Sequence, residues 1–285
     1  MFPRRFLMPR WVRTSAKGVA LAYRRVISRD RALPDFIIVG AQKAGTSSLF
    51  HYLRQHPQLV PPFTKEVHFF DGGLHPDIDN FEKRPAWYRA HFPPKSTLGE
   101  GRRTFEASPL YLFNPLVPER IHDLVPTVKL IALLRNPTER AISHYFHERR
   151  AGHETLPVME ALQAEEQRLA SVMASGDYKS DAFMKFSYKK RGLYREQLER
   201  FTAYFSWSQL LVLSSEEFFR DPGQTLRRVF EFVGVDPECR VGDLKPRNVG
   251  RDKAKVGPEV YRYLDDYFEP HNQALYRLIG KGFDW

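Results

Sequence analysis

Cysteine is almost absent from this sequence, since the 285 residues include only one, Cys239. A lone thiol cannot form a disulfide within the chain, so a disulfide-stapled secreted fold is excluded and a cytoplasmic location is expected. Cysteine and histidine clusters with the spacing of zinc ligands are also lacking. His144 and His147 could share a helix face, but two histidines alone are weak evidence for a metal site, and we expect none.

Long hydrophobic runs are missing from the N-terminal residues, which carry most of the positive charge. Residues 1–33 hold nine basic residues and one acid, so eight of the ten net positive charges lie there. The longest apolar run of this arm, Val19 to Tyr23, is too short to span a bilayer and short for the core of a signal peptide. A solvated basic extension is the favoured interpretation. Peripheral contact with anionic lipid is the main alternative, and contact with nucleic acid is less favoured because the remaining chain is nearly neutral.

Low-complexity stretches, internal repeats and linker-like segments are absent after residue 34. Apolar runs that read as buried strands begin near residues 35, 128 and 210, and they alternate with segments of helical periodicity. Strands that alternate with helices indicate a parallel sheet covered on both faces. The sequence therefore predicts a basic extension over 1–33 and a single α/β domain over 34–285, with a central parallel sheet flanked by helices.

The glycine loop after the first strand lacks the lysine that a nucleotide-binding P-loop carries directly before its threonine. A strand, a glycine loop and a helix N-terminus together cradle phosphate with backbone N–H groups and partial positive charge. Here the lysine stands inside the loop, where it can meet a shorter anion such as a 5′-phosphosulfate, which needs no metal clamp. The loop residues proposed to bind this anion are Gln42, Lys43, Ala44, Gly45, Thr46, Ser47 and Ser48.

Residues 42–49 resemble the 5′-phosphosulfate loop of the sulfotransferases that use 3′-phosphoadenosine 5′-phosphosulfate (PAPS). The resemblance is strongest to the carbohydrate branch that includes the heparan sulfate sulfotransferases. Residues 134–145 resemble the LR-P-ER--S-Y segment of the same family. Arg135 at a strand end and Ser143 on the following helix can converge on one anion. The resemblance implies that these two residues bind the 3′-phosphate of PAPS, that no metal is needed, and that the fold is the P-loop-kinase-like sulfotransferase fold.

Residues 65–71 (KEVHFFD) resemble the KE-HFFD segment of the glycan sulfotransferases, whose glutamate is the general base. By position the base is Glu66, and His68 assists it. If the segment is extended, Glu66, His68 and Phe70 project to one face, and aromatic neighbours would raise the pKa of the carboxyl towards neutrality. Read alone, the segment is also typical of a half-buried edge strand. Lys43 suits neutralisation of the leaving phosphate, by analogy with phosphoryl transfer.

Residues 101–112 (GRRTFEASPLYL) match the family's E-SP-Y segment, but Ala107 stands where some heparan-type members carry a lysine, which weakens the case for a heparan-like acceptor. Ser108 and Tyr111 either line the site or pack beneath it. Residues 245–255 (KPRNVGRDKAK) lie where the family closes a basic loop over the nucleotide, so Arg251 and Lys253 are candidates for nucleotide binding.

We consider three functions for this sequence. The favoured function is transfer of a sulfuryl group from PAPS to a hydroxyl or amine of an acceptor. A carbohydrate is the favoured acceptor, and no nucleic-acid partner is expected. A P-loop nucleotide kinase would need a lysine directly before Thr46 and a magnesium-holding aspartate at a strand end, and the second strand ends in Leu134-Arg135 instead. A membrane- or nucleic-acid-binding protein that uses its basic arm would leave the motifs of the body unexplained. The acceptor and the oligomeric state stay open.

Overall fold

A parallel five-stranded sheet forms the centre of the computed structural model, which describes residues 10–247 and 256–285. The strands are β1 (Phe36–Gly40), β2 (Leu59–Val60), β3 (Arg103–Ala107), β4 (Lys129–Leu134) and β5 (Leu210–Ser214), in the order β2-β3-β1-β4-β5. Every paired strand runs parallel to its neighbour. The predicted α/β domain with a central parallel sheet is confirmed.

The strands are apolar because both faces of the sheet are covered. All five residues of β1 are buried, and β4 is buried along its last five residues. In the register of the sheet, Ile38 of β1 lies between Ala107 of β3 and Ile131 of β4. Strands buried on both faces read as continuous hydrophobic runs, which explains why β1, β4 and β5 were predictable from the sequence.

Helices cover the sheet on both sides. The described residues form α1 (Arg10–Val26), α2 (Thr46–Leu53), α3 (Arg84–Arg89), α4 (Lys95–Leu98), α5 (Val117–Leu124), α6 (Pro137–Arg150), α7 (Val158–Ser175), α8 (Asp181–Lys185), α9 (Tyr194–Thr202), α10 (Ser215–Arg220), α11 (Pro222–Val233) and α12 (Pro258–Ile279). Short 3₁₀ turns occupy Ser28–Asp30, Phe81–Lys83, Lys190–Gly192 and Trp207–Gln209. A second apolar cluster, separate from the main core, joins α6, α7 and α12 through Ile142, Leu162 and Leu264.

Local signals fix the ends of the helices that border the sheet. Asn136 caps α6 by accepting a hydrogen bond from the backbone N–H of Glu139, and Pro137 occupies the first turn, where a missing N–H is harmless. Asp221 caps α11 in the same way, and Gly234 ends it in the left-handed conformation. These signals place Arg135 at the junction of β4 and α6.

Helix α1 belongs to the predicted basic extension and packs against the domain. The division into an extension over 1–33 and a domain over 34–285 stays a prediction, and residues 1–9 lie outside the described part of the chain. Among the described helices, none is both long enough and apolar enough to cross a bilayer.

Candidate active site

A cleft of 1190 Å³ opens at the carboxyl ends of β1, β4 and β5. In open parallel sheets, ligands bind at this edge, close to the point where the strand order reverses. Here β1 lies at the centre, with β3 on one side and β4 on the other. The predicted site residues that line the cleft are Gln42, Lys43, Gly45, Thr46, Ser47, Glu66, His68, Arg135 and Ser143.

The phosphate loop turns sharply between β1 and α2. Lys43 adopts a φ of +71° and Gly45 a φ of +98°, both in the left-handed region. A Cβ atom at position 45 would lie only 2.8 Å from the ring of Phe219. Glycine is therefore required there both by the positive φ angle and by the lack of space for a side chain. Ala44 and Ser48 are fully buried behind the loop, while their neighbours line the cleft. The loop therefore presents Lys43 and the N-terminus of α2 to the cleft.

Lys43 lies in a cationic environment. Burial lowers the pKa of its ammonium group, and the nearby positive charges of Arg150 and Arg135 lower it further. The guanidinium of Arg135 also donates a 2.9 Å hydrogen bond from Nη1 to the carbonyl oxygen of Lys43. Like charges that converge on one wall of a cleft repel each other until an anion binds between them, so this wall suits a polyanionic ligand.

Three hydrogen bonds fix the position of Arg135, including the one to Lys43 described above. Its Nη2 donates to Oε2 of Glu139 at 3.0 Å, and its carbonyl oxygen accepts a 2.8 Å hydrogen bond from the hydroxyl of Tyr194. Ser143, two helical turns into α6, lines the same cleft. The structure therefore brings Arg135 and Ser143 to one cleft with the phosphate loop, as the sequence predicted.

Gln42 connects the phosphate loop to a buried arginine. Arg191 is only 3% exposed, and its Nη1 donates to Oε1 of Gln42. The same guanidinium donates to Ser187 Oγ at 2.6 Å and to the carbonyl oxygens of Phe183 and Met184 at 2.9 and 2.8 Å. Burial, together with the nearby positive charge of Arg140, lowers its pKa to about 9. Sequence analysis missed Arg191, because a basic residue in a Lys-Lys-Arg-Gly run gives no sign of burial.

The segment around Glu66 is not extended, so the predicted alternation along one face is wrong, and the edge-strand interpretation is wrong as well. Glu66 and His68 have φ values of +58° and +51°, which are rare for residues other than glycine and cluster at functional sites. Phe70 is fully buried in the core, whereas Glu66 and His68 line the cleft. The two side chains still meet, with 3.8 Å between His68 Nε2 and Glu66 Oε2.

Glu66 and His68 form an ion pair. Burial alone would raise the pKa of Glu66, but the adjacent imidazolium of His68 and the charge and hydrogen bond of Lys65 lower it to about 2. Burial would lower the pKa of His68, but Asp71 and Glu66 raise it to about 9. The expectation of a carboxyl titrating near neutrality is therefore wrong, because cationic neighbours outweigh the aromatic ones. The His68 ring is oriented by Asp71, whose Oδ2 lies 2.7 Å from Nδ1.

A buried hydrogen-bond network holds this segment from below. Glu106, at the end of β3, accepts hydrogen bonds from Ser108 Oγ at 2.7 Å, from the Tyr111 hydroxyl at 2.8 Å and from the Tyr88 hydroxyl. Ser108 Oγ in turn accepts from the backbone N–H of His68 at 3.3 Å, and the Tyr111 hydroxyl accepts from those of Phe69 and Phe70. All of these side chains are buried. Ser108 and Tyr111 therefore position the backbone of the Glu66 segment from beneath the cleft.

The basic loop near the C-terminus reaches the cleft at Arg247. Its backbone N–H donates to Ser48 Oγ at 2.9 Å, and its side chain bonds to Asp243 and lies 2.8 Å from His51 Nε2. Arg251 and Lys253, which the sequence singled out, lie outside the described residues. Arg247 belongs to the same basic segment, but the sequence did not identify it as a candidate. Composition alone does not indicate which basic residue of a loop reaches the cleft.

Neither histidine of α6 forms part of a metal site within the described ranges. His144 is fully buried, with Nε2 at 3.5 Å from Oε1 of Glu148, and His147 Nε2 lies 3.9 Å from the same oxygen. Across residues 10–247 and 256–285, no group of three or more histidine, cysteine or acidic side chains is arranged to hold a metal ion.

Comparison with known proteins assigns the family. The family model described as "Sulfotransferase domain" matches residues 33–246, three quarters of the chain. The chain belongs to the sulfotransferase family. A crystal structure of a sulfotransferase from Alicyclobacillus acidocaldarius is similar to this sulfotransferase over 88% of its chain and 98% of the bacterial one, with 33% identity and a TM-score of 0.67.

Heparan sulfate enzymes are among the sequence relatives of this sulfotransferase. Mouse heparan sulfate glucosamine 3-O-sulfotransferase 3A1 is 31% identical over 278 residues, which are 90% of this chain and 65% of the mouse protein. The mouse bifunctional heparan sulfate N-deacetylase/N-sulfotransferase 4 is 29% identical over 90% of this chain and 31% of its own length. This sulfotransferase thus spans less than two thirds of the length of either relative.

Proposed function

We propose that this sulfotransferase transfers a sulfuryl group from PAPS to a hydroxyl or amine of a carbohydrate, by in-line displacement with Glu66 as the general base. One observation carries the proposal. A single cleft at the carboxyl ends of β1 and β4 contains the displaced lysine of the phosphate loop, the Arg135–Ser143 pair and the Glu66–His68 ion pair.

The donor fits the wall formed by the phosphate loop and the start of α6. The loop and the N-terminus of α2 suit the 5′-phosphosulfate, because backbone N–H groups and the helix dipole favour an anion. Arg135 and Ser143 suit the 3′-phosphate, since a guanidinium fork matches phosphate oxygens. The ring of Phe219, which packs against Gly45 and lines the cleft, offers an apolar face to the nucleotide.

In the reaction, the acceptor oxygen or nitrogen forms a bond to sulfur while the bond from sulfur to the bridging phosphate oxygen breaks. The leaving group is adenosine 3′,5′-bisphosphate (PAP), and the ammonium of Lys43 stabilises the charge that develops on its 5′-phosphate. The acceptor's proton passes to a carboxylate oxygen of Glu66. The imidazolium of His68 holds that carboxylate in place and is itself fixed by Asp71.

A carboxylate with a pKa of about 2 can still serve as this base. In a loose transition state the nucleophile keeps its proton until its bond to sulfur is well advanced. A hydroxyl that is bonding to sulfur becomes strongly acidic, so a weak base accepts the proton late in the step. The low pKa also keeps Glu66 ionised, and therefore able to accept a proton, throughout the neutral range.

The carbohydrate acceptor is supported by the relatives and by the charge of the cleft. The relatives include enzymes named for 3-O- and for N-sulfation of heparan sulfate, and the proposal accordingly includes both hydroxyl and amine acceptors. Lys179, Lys185 and Arg150 line the cleft together with Lys43, which favours an acidic glycan. A cytoplasmic location stays part of the proposal, on the ground that the sequence has a single cysteine and so no means of forming a disulfide within the chain.

Thermal shifts with a panel of nucleotides test the donor site. PAP and PAPS should raise the melting temperature without added metal and more than adenosine monophosphate does, because only they carry the 3′-phosphate. A magnesium-dependent response to ATP with none to PAP would contradict the proposal and would return a nucleotide kinase to consideration.

A further inference from the structure

Three apolar side chains of α1 are largely exposed to solvent. Val26 is 83% exposed, Val19 73% and Tyr23 67%, and these are the most exposed large apolar side chains within residues 18–247 and 256–285. Their spacing of four and then three residues places them on one face of the helix, and we call this face the α1 ridge. A contiguous exposed apolar surface on a soluble protein marks a contact site.

The α1 ridge points away from the body because the opposite side of α1 is anchored. Arg24 donates from Nε to the carbonyl oxygen of Ala90 at 2.6 Å and from Nη2 to that of Phe92 at 2.8 Å. Its guanidinium also stacks on the ring of Phe63, 4.7 Å from the ring centre. These three contacts fix the rotation of α1 about its own axis. The ridge therefore faces away from the domain.

A groove extends the apolar surface of the ridge towards the domain. It has a volume of 620 Å³, and its lining is apolar except for one arginine. The lining residues are Gly18, Leu21, Ala22, Arg25 and Val26 on the α1 side and Ala86 and Trp87 on the α3 side. Val26 belongs to both the ridge and the groove, so the two surfaces are continuous. Together they offer a broad apolar contact beside exposed basic residues.

The positive charge of the N-terminal residues indicates which kind of partner binds this surface. Residues 1–33 carry nine basic residues and one acid. Arg25 is exposed and lines the groove together with Val26, and Arg29 is exposed just beyond the end of α1. A second copy of the chain would bring two arms of the same charge together, whereas anionic lipid headgroups would neutralise them. We propose that α1 lies in the plane of an anionic membrane surface, with the α1 ridge between the headgroups and the acyl chains.

Vesicle co-sedimentation of the full chain tests the proposal. Vesicles of phosphatidylcholine alone and of phosphatidylcholine mixed with phosphatidylserine are compared at low and high salt. Binding to the anionic vesicles should be stronger by roughly tenfold or more and should weaken at high salt, because several basic residues contribute. Equal binding to both kinds of vesicle, or binding to neither, would overturn the proposal.

A ridge variant separates the apolar contact from general attraction between charges. Val19→Ser, Tyr23→Ser and Val26→Ser, combined in one chain, should weaken binding to anionic vesicles by roughly tenfold or more while every charge is kept. All three side chains are exposed, so the melting temperature and the response to PAP should match those of the wild type. Unchanged vesicle binding in this variant would overturn the proposal.

The matched control removes exposed apolar side chains from other faces of the protein. Leu116→Ser, Met173→Ser and Trp207→Ser, combined in the same way, should change vesicle binding by less than about twofold. Two further measurements address the other occupants. A dimer in sedimentation velocity that the ridge variant dissociates, or tight binding of duplex DNA that the ridge variant abolishes, would assign the surface to a second copy or to nucleic acid and overturn the proposal.

Discussion

Glu66 and His68 face each other across 3.8 Å, and each stabilises the charged form of the other. Both residues adopt positive φ angles, a conformation that costs about 1–3 kcal/mol for residues other than glycine. The network of Glu106, Ser108 and Tyr111 holds the backbone of this segment in place. At the scale of residues, the chemistry thus depends on a strained segment supported from beneath the cleft.

Replacing Glu66 tests its assignment as the base. Glu66→Gln keeps the shape of the side chain but cannot accept a proton at neutral pH, so turnover should fall about 10²–10⁴-fold while PAP affinity changes little. Asp71→Asn serves as the comparison and should cost less, because Asp71 acts through His68. Full turnover in Glu66→Gln protein with a normal melting temperature would discard the assignment.

The pH dependence of kcat/KM separates Glu66 from His68 as the base. A base must be unprotonated, and Glu66 with a pKa of about 2 is already ionised in the neutral range, so kcat/KM should be nearly flat from about pH 6 to about pH 8. If His68 were the base, its pKa of about 9 would make kcat/KM rise tenfold per pH unit over that interval. A steep rise would therefore contradict the role given to Glu66.

The role of Arg135 is tested by comparing ligands with and without a 3′-phosphate. Arg135→Ala should reduce the preference for PAP over adenosine monophosphate by about 1.5–3 kcal/mol, because a charge-assisted contact is lost. Arg195→Ala is the control, since Arg195 also pairs with a glutamate four residues along a helix but lies exposed on α9. The quantity to measure is the ratio of the two dissociation constants by calorimetry. An unchanged ratio in Arg135→Ala would remove Arg135 from the 3′-phosphate site.

At the scale of elements, the phosphate loop is tied to a helix far away in sequence. Arg191 links Gln42 in the loop to the carbonyl oxygens of Phe183 and Met184 at α8. Met184 and Lys185 line the same cleft as the loop residues, so one buried guanidinium connects two segments of its lining. A shift of the loop and a shift of α8 should therefore be energetically coupled.

A double-mutant cycle measures this coupling. Gln42→Ala and Arg191→Lys should each raise the KM for PAPS, and their effects should be non-additive by about 0.5–3 kcal/mol because they act on one contact. The control pair is Gln42→Ala with Arg200→Lys, an arginine that donates to the carbonyl oxygen of Phe113 instead. Strict additivity in the first cycle would show that the loop is not positioned through Arg191.

The sequence predicted those elements whose signals are local. Strands β1, β4 and β5 are buried on both faces and read as apolar runs, and α6 begins at Pro137, a residue that favours the first turn of a helix. Strand β2 spans only Leu59–Val60, and β3 mixes Arg103, Thr104 and Glu106 with apolar residues, so neither gave a pattern that could be recognised. The mixed composition of β3 is explained by the buried polar network that Glu106 organises.

At the scale of the whole molecule, most of the candidate site could be predicted because its motifs are contiguous in sequence. The electrostatic state of Glu66 could not, because it depends on how Lys65, His68 and Asp71 pack around it. The same holds for Arg191, which is buried, and for Arg247, which reaches Ser48 from the other end of the chain. Burial, the packing of side chains within a loop and contacts between distant segments leave no recognisable pattern in the sequence.

The central claim is that one cleft holds both PAPS and a carbohydrate and that Glu66 takes the acceptor's proton. Transfer of label from radiolabelled PAPS to N-sulfated and N-deacetylated heparan-type glycans, measured with wild-type and Glu66→Gln protein, tests it most directly. Label should enter at least one glycan with an equal amount of PAP released, and Glu66→Gln should lower the rate about 10²–10⁴-fold. PAPS binding without transfer to any glycan, or equal transfer by both proteins, would contradict the account.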